Sequence, residues 1–381
     1  MNIRVKFLLV LGLSLLSVIE LHAEPLKIES VEFKAKKANL DFGEPIILPF
    51  VSSKQPKIAK KINDYLYINI LSTPAPVNAK DGIVRKITEA DDDPIVGVTS
   101  MRYKLLLNDG KVFSVQFNSE LCGAYCEDNA SSYGFDASTG RHLTLQDIFT
   151  ANGIDALKKK VYAARVMTMK QEIKRLKKEI AKPNKKKQQK DEFEADPQHV
   201  IFLYETCLTE TATSHDDEIK SGDHHELDYF TIEAKGIAFS HERCSNHAER
   251  ALDSIDQFNN HYNFQQLKPY FTAYAKHLLL RDTAKFEQPS DIMGQVFYGN
   301  IGQSKITFLI KQAEGYDRML RAMYFYDKYR QPIELTGTGN TWTEINSASK
   351  PQPTIKATLQ ADTLSGQWLG GGKTLPFKIA P

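Results

Sequence analysis

The sequence predicts an α+β protein: an antiparallel sheet with packed helices, followed by a C-terminal all-β part, a sandwich or half-barrel. Three observations carry this. Residues 101–117 alternate apolar and polar on either side of a tight-turn signal. Residues 55–71 and 154–180 hold apolar side chains at helical spacing. After residue 290, short strand-like runs recur between glycine turns, and no helical period interrupts them.

The elements follow in order. Val31 and Phe33 alternate with polar residues, and Pro45 to Leu48 is a short apolar run, so residues 24–50 read as short strands. Ile58, Ile62 and Leu66 predict an amphipathic helix over 55–71. Residues 72–94 hold three prolines and an acidic run, and read as a long loop. Met101, Tyr103 and Leu105 then face Phe113, Val115 and Phe117 across Asp109-Gly110, where glycine takes positive φ at little cost. A cysteine-bracketed turn, Cys122 to Cys126, precedes another strand and the turn Ser138-Thr139-Gly140. Thr144 with Asp147 three residues on is a variant of the capping box at a helix start.

A basic helix follows over 152–182. It ends before Pro183, because proline lacks an N–H and disfavours helix in the residue before it, and a Lys-rich tail continues over 183–192. From 158 to 190 there are fourteen Lys and Arg against two Glu, a net charge of +12 in a chain whose total is +2. The bland reading is a solvated helix face. The functional reading is a contact surface for an anionic polymer, carried by Lys158, Lys159, Lys160, Lys170, Lys174 and Arg175. Nucleic acid is disfavoured, since Tyr162 alone would offer stacking in that segment.

The charge then inverts. Residues 201–233 carry nine Asp and Glu against Lys220. This stretch reads as a polar loop between a strand ending near Cys207 and one starting near Tyr229. It either packs against the basic helix or, through His215, His224 and His225 in the 215–228 loop, holds a divalent metal. No His-Glu-x-x-His is present, and no cofactor is expected. Tyr229 to Ser240 reads as two strands around Lys235-Gly236, and a helix is expected from Leu267 to Leu280. Residues 24–282 thus form one module, 283–290 a linker, and 291–381 the β module. In that module Tyr316, Tyr324, Tyr326, Tyr329 and Trp342 form either core or a sugar-stacking face.

Two features set the compartment. Arg4 and Lys6, the apolar run from Phe7 to Ile19 and Leu21-His22-Ala23 have the order of a signal peptide over residues 1–23. Four cysteines in an oxidising compartment read as two disulfides. Of three pairings we favour Cys122–Cys126 with Cys207–Cys244. A redox-active pair is the alternative, although Cys-x-x-x-Cys is not the usual redox spacing. The expectation is a periplasmic or secreted protein with no membrane span.

The run YGFDASTGRHLTLQDIF, with FTIEAKGIAFSHERC and NFQQLKPYF after it, resembles an extracytoplasmic domain of unknown function. That domain is shared by lysozyme-sensing anti-sigma factor ectodomains and the non-catalytic part of certain peptidoglycan deacetylases. The resemblance covers roughly Ile28 to Phe271 and rests on turn and core residues. Where that family often has Gly-Ala-His, Gly123-Ala124 is followed here by Tyr125, so no ligand role carries over at that position. Gly366-Gln367-Trp368 and Tyr324 to Asp327 resemble a small β module of secreted bacterial proteins. The chain shows no Gly-x-Ser-x-Gly elbow and no P-loop, and Ser347-x-x-Lys350 stands without companion motifs. The resemblance therefore implies an exported, non-enzymatic envelope protein. Its partner is peptidoglycan, another anionic envelope polymer, or a lysozyme-like protein docked on the acidic 201–233 region. A metal-dependent hydrolase and a structural partner in a periplasmic complex are the alternatives.

Overall fold

The computed structural model describes residues 24–35, 45–85, 95–182, 196–221, 223, 225–311, 320–345, 347, 349 and 351–381. The expected signal peptide, the Lys-rich tail, His224 and Tyr316 lie outside the described residues.

The first layer is a six-stranded sheet. Its strands are β1 (Lys27–Ala35), β2 (Ile46–Ser52), β3 (Ile83–Arg85), β4 (Val98–Asn108), β5 (Val112–Cys122) and β6 (Cys126–Asp136). They lie in the order β3-β1-β2-β4-β5-β6. The joins are antiparallel except β1 to β3 and β2 to β4, which are parallel. Helix α1 (Pro56–Leu71) lies on this sheet and buries Ile62, Leu66 and Leu71 completely against Phe113, Phe117 and Phe135. The segment ahead of β4 is therefore half of the sheet and its covering helix. The Asp109-Gly110 turn forms as expected: Gly110 takes φ +82°, and the Asp109 carboxylate accepts from the amides of Lys111 and Val112.

The second part begins at α2 (Leu145–Ile148), whose capping box is complete. Thr144 Oγ1 accepts from the Asp147 amide, and the Asp147 carboxylate accepts from the Thr144 amide. Helix α3 (Ala151–Ile180) follows, 30 residues and about 45 Å long. The reading of 201–233 needs correction. Residues 197–221 form a helix, α4 (Pro197–Ser221), not a strand and a polar loop. Val200, Tyr204, Cys207, Thr211, His215 and Glu218 recur every three to four residues and bury one face against α3. A three-stranded sheet of β7 (Phe230–Ile232), β8 (Gly236–His241) and β9 (Phe258–Asn263) packs with α2 and the start of α3 around Leu157, Phe239 and Phe271. The helix expected over 267–280 is divided into α5 (Phe264–Leu267) and α6 (Ala273–Leu280). Pro269 lies between them, and Thr272 caps the second.

The third part closes further than expected. Strands β10 (Gln295–Ile301), β11 (Ser304–Ile310), β12 (Leu320–Tyr326), β13 (Ile333–Thr338), β14 (Thr341–Glu344), β15 (Thr354–Gln360), β16 (Thr363–Gly370) and β17 (Lys373–Ala380) form an eight-stranded antiparallel barrel. The expected C-terminal all-β part is present, and pairing of β10 with β17, from Tyr298↔Ala380 to Ile301↔Phe377, closes it into a full barrel. Phe297, Phe308, Tyr324, Trp342, Ile355 and Phe377 fill one core cluster. Tyr324 and Trp342 are thus core residues, while Tyr329 is 63% exposed. Outward-facing Val296, Leu309, Met323 and Phe325 join the core cluster that contains α1, and β10 contacts α1, so the barrel packs on the α1 side of the first layer. The contact is also polar: Tyr298 donates to Asp64 at 2.9 Å, and Arg330 donates to the Pro74 and Ala75 carbonyls.

Candidate functional site

Helix α3 carries the six basic residues singled out by the sequence, and the structure divides them. Lys158 is 4% exposed and turns inward, its Nζ donating to the carbonyls of Asp223 at 2.9 Å and Glu218 at 3.4 Å. A cation there complements the negative end of α4. Lys158 is therefore not a surface contact. Lys160 is half-buried, with its ammonium 4.5 Å from the centroid of the Tyr262 ring. Arg175 is exposed but forks Glu172 at 2.6 Å and pairs with Glu179 at 2.9 Å on its own helix. Lys159, Lys170 and Lys174 are exposed.

Lys170 and Lys174 make no ion pair or hydrogen bond among the described residues. They border a shallow groove of about 520 Å³ along α3, lined also by Tyr162, Val166 and Met167. Residues 162, 166, 170 and 174 recur every four positions, with Met167 three before Lys170, so a single stripe of the helix builds the groove. Met167 is 56% exposed there, and Tyr162 is held in place by stacking on His215 with ring centroids 3.9 Å apart. One neighbouring cation is neutralised from α4: Lys177 pairs with Glu205 at 2.8 Å. The distal stripe of α3 is thus an apolar floor with two unpaired ammonium groups one helical turn apart.

Of the three histidines considered for a metal, His224 and the side chain of His225 lie outside the described residues. His215 is buried in the α3–α4 contact, and burial, aided by Lys158, lowers its pKa. Among the described residues the one cluster with ligand atoms close enough for a metal is Glu120, Cys122 and Cys126, at the tip of β5 and β6.

The sequence did not single out a buried ionisable group beside the groove. Glu226 and His241 are 4% and 8% exposed, and their Oε1 and Nε2 atoms are 3.3 Å apart. Arg165 lies 3.8 Å from the other carboxylate oxygen, and the Glu226 amide donates to Glu218. Burial pushes Glu226 up to about 7 and His241 down to about 4. Residues 165, 226 and 241 come from three separate elements, so no spacing in the chain announces them. The group ties α3 to β8.

The residues of the YGFDASTGRHLTLQDIF run are architectural. Asp136 accepts from Tyr274 Oη at 2.6 Å and from Ser138. Arg141 forks Asp147 at 2.9 and 3.0 Å and donates to the Asp291 carbonyl at the barrel entrance. His142 is stacked on Tyr65 and held near a pKa of 3 by burial and the Arg141 charge. Both favoured disulfides are present, Cys122–Cys126 and Cys207–Cys244. No helix among the described residues is long and apolar enough to cross a membrane.

No family model matches the chain, and no curated protein matches it. Solved structures are similar, two of them as follows. One is a DUF3298 family protein from Bacteroides fragilis NCTC 9343, 12% identical, with a TM-score of 0.38, covering 66% of this chain and 96% of its own. The other is a DUF3298 family protein from Pseudomonas aeruginosa PAO1, 12% identical, with a TM-score of 0.35, covering 66% of this chain and 97% of its own. Likeness at that level carries no argument about function, and neither match bears on anti-sigma factors or deacetylases.

Proposed function

We propose that this is an extracytoplasmic, non-enzymatic envelope protein that binds an anionic cell-wall glycan along the distal stripe of α3. The observation that carries this reading is the groove itself. Lys170 and Lys174 keep their charge unpaired among the described residues, next to exposed Met167 and half-buried Val166. Stem-peptide carboxylates of peptidoglycan meet the two amines, while apolar sugar and alanine faces lie on the floor. Two disulfides are compatible with an oxidising compartment.

The test is co-sedimentation of the protein with purified peptidoglycan at low and moderate salt, beside Lys170→Gln/Lys174→Gln. Binding that survives moderate salt and falls at least about fivefold in the double variant supports the reading, because exposed charge alone is screened within about 10 Å at 0.1 M salt. Binding unchanged in the variant removes the groove from the account. Binding to a basic lysozyme-like protein without binding to peptidoglycan replaces the glycan with that partner and moves the contact to the acidic face of α4, where Glu210, Asp216 and Asp217 are exposed.

A further inference from the structure

We propose that the tip of the β5–β6 ribbon is a redox-gated site for a thiophilic divalent cation such as zinc, formed by Cys122, Cys126, Glu120 and Asp128 when the tip disulfide is reduced. The strand register makes this set. Cys122 is paired with Cys126, and Glu120 with Asp128 two residues further along the same two strands. Residues two apart share a face, so all four side chains lie on one side of the ribbon. The ligand atoms of Glu120, Cys122 and Cys126 already lie within 4.8 Å of one another. Two thiolates and two carboxylates make a four-coordinate set of the kind zinc accepts, with sulfur at about 2.3 Å and oxygen at about 2.0–2.2 Å.

Two of the donors, Glu120 and Cys122, are held before any cation arrives. Thr99 Oγ1 donates to Glu120 Oε2 at 2.5 Å and lies 3.7 Å from Cys122 Sγ. Such outer contacts orient ligand side chains. The ribbon does not need its disulfide to stand. β5 and β6 pair continuously from Val112↔Asp136 to Cys122↔Cys126, and the Cys122 amide donates to the Gly97 carbonyl at 2.6 Å. Beyond the bridge, Tyr125 stacks on His247, and Glu127 binds both Arg243 and His247. Reduction therefore frees two sulfurs without freeing the backbone that carries them.

The two disulfides differ in access. Cys126 and Asp128 are exposed, and Cys122 and Glu120 are half-exposed. Cys207 is 6% exposed and Cys244 half-buried, both packed in the α3–α4 cluster, so the second disulfide has no exposed sulfur to match Cys126. A dithiol reductant in solution reaches the tip first. The exchange balances: the reductant's two thiols are oxidised to a disulfide, the tip disulfide takes up two electrons and two protons, and a bound divalent cation then displaces those two protons. The oxidised tip, whose sulfurs are bonded to each other, has no thiolate to offer.

The experiment treats the full chain with a soluble dithiol under native conditions, removes the dithiol anaerobically, and titrates with Cd(II) while following the ultraviolet thiolate-to-metal band. Expected are two alkylatable thiols mapping to Cys122 and Cys126, one Cd(II) per chain, and displacement by Zn(II). The band is absent without reduction and lost in Cys126→Ser, and affinity falls roughly tenfold or more in Glu120→Gln. Circular dichroism shows that Cys126→Ser remains folded, because the ribbon and its flanking contacts persist. A reduced tip that takes up no Cd(II) overturns the proposal. So does a band that persists in Cys126→Ser, or opening of Cys207–Cys244 ahead of the tip.

Discussion

The two halves of α3 look alike in the sequence and do opposite work. In the proximal half, Ile154, Leu157 and Val161 are buried against β8, α5 and the segment after it. Lys159 stays exposed, but three basic residues of that half are drawn inward: Lys158 to the end of α4, Arg165 to Glu226, Lys160 to Tyr262. In the distal half Met169, Ile173 and Leu176 face α4, and Lys170 and Lys174 remain unpaired among the described residues on the opposite side. A run of lysines is therefore not one surface. What sets Lys158 apart is where α4 ends: the carbonyls of Glu218 and Asp223 lie over the proximal half and take up its ammonium.

Four substitutions sharpen this contrast. The largest effect belongs to the proximal core. Leu157 is fully buried, and Leu157→Ala should cost about 2–5 kcal/mol in denaturant unfolding, from lost burial and the cavity left behind. A loss under about 1 kcal/mol would mean that this half is not rooted as described.

The second effect depends on pH. Glu226 has a folded pKa of about 7, above its ordinary 4.5, so its contribution to stability is lost as pH rises from 4.5 to 7. His241 has a folded pKa of about 4, below its ordinary 6.5, so its contribution is lost as pH falls from 6.5 to 4. In the native protein the two slopes oppose each other between pH 4.5 and 6.5. Glu226→Gln removes one of them. The variant should gain stability steadily from pH 4 to 6.5, by about 2–3 kcal/mol, and level off above. A flat profile in the variant would show that His241 is not held neutral by burial.

The smallest effect separates the lysines directly. Lys158→Met should cost about 1–3 kcal/mol, because it leaves buried carbonyls at the end of α4 without their donor. Lys170→Met should stay within about 0.5 kcal/mol of the native protein. Equal costs would erase the distinction between the halves.

Much of the fold was legible where the signal is local. Asp109-Gly110, the Thr144–Asp147 box, and the stop of α3 before Pro183 each depend on residues within a few positions, and each forms. Helix α4 was not legible, because Val200 to Tyr204 is a β-branched and aromatic run that mimics a strand at its start. Its helical period shows only over the full 25 residues, and Thr211 and His215 sit on the buried face without being apolar. Closure of the barrel was missed because pairing of β10 with β17 joins residues some eighty positions apart. The candidate site was half legible. The basic run marks α3, but the burial of Lys158 depends on carbonyls 60 and 65 residues away, and the groove depends on which face α4 covers. The pairing of Cys122 with Cys126 was legible from their spacing, and only the register placed Glu120 and Asp128 beside them.

The most direct test of the divided helix measures stability and peptidoglycan binding together in Lys158→Met and in Lys170→Met/Lys174→Met. The account predicts a crossed result. Lys158→Met loses stability and, at a temperature where it is folded, sediments with peptidoglycan like the native protein. The double variant keeps its stability and loses binding. A double variant that binds as the native protein does, or a folded Lys158→Met that fails to bind, would contradict the assignment of the contact to the distal stripe of α3.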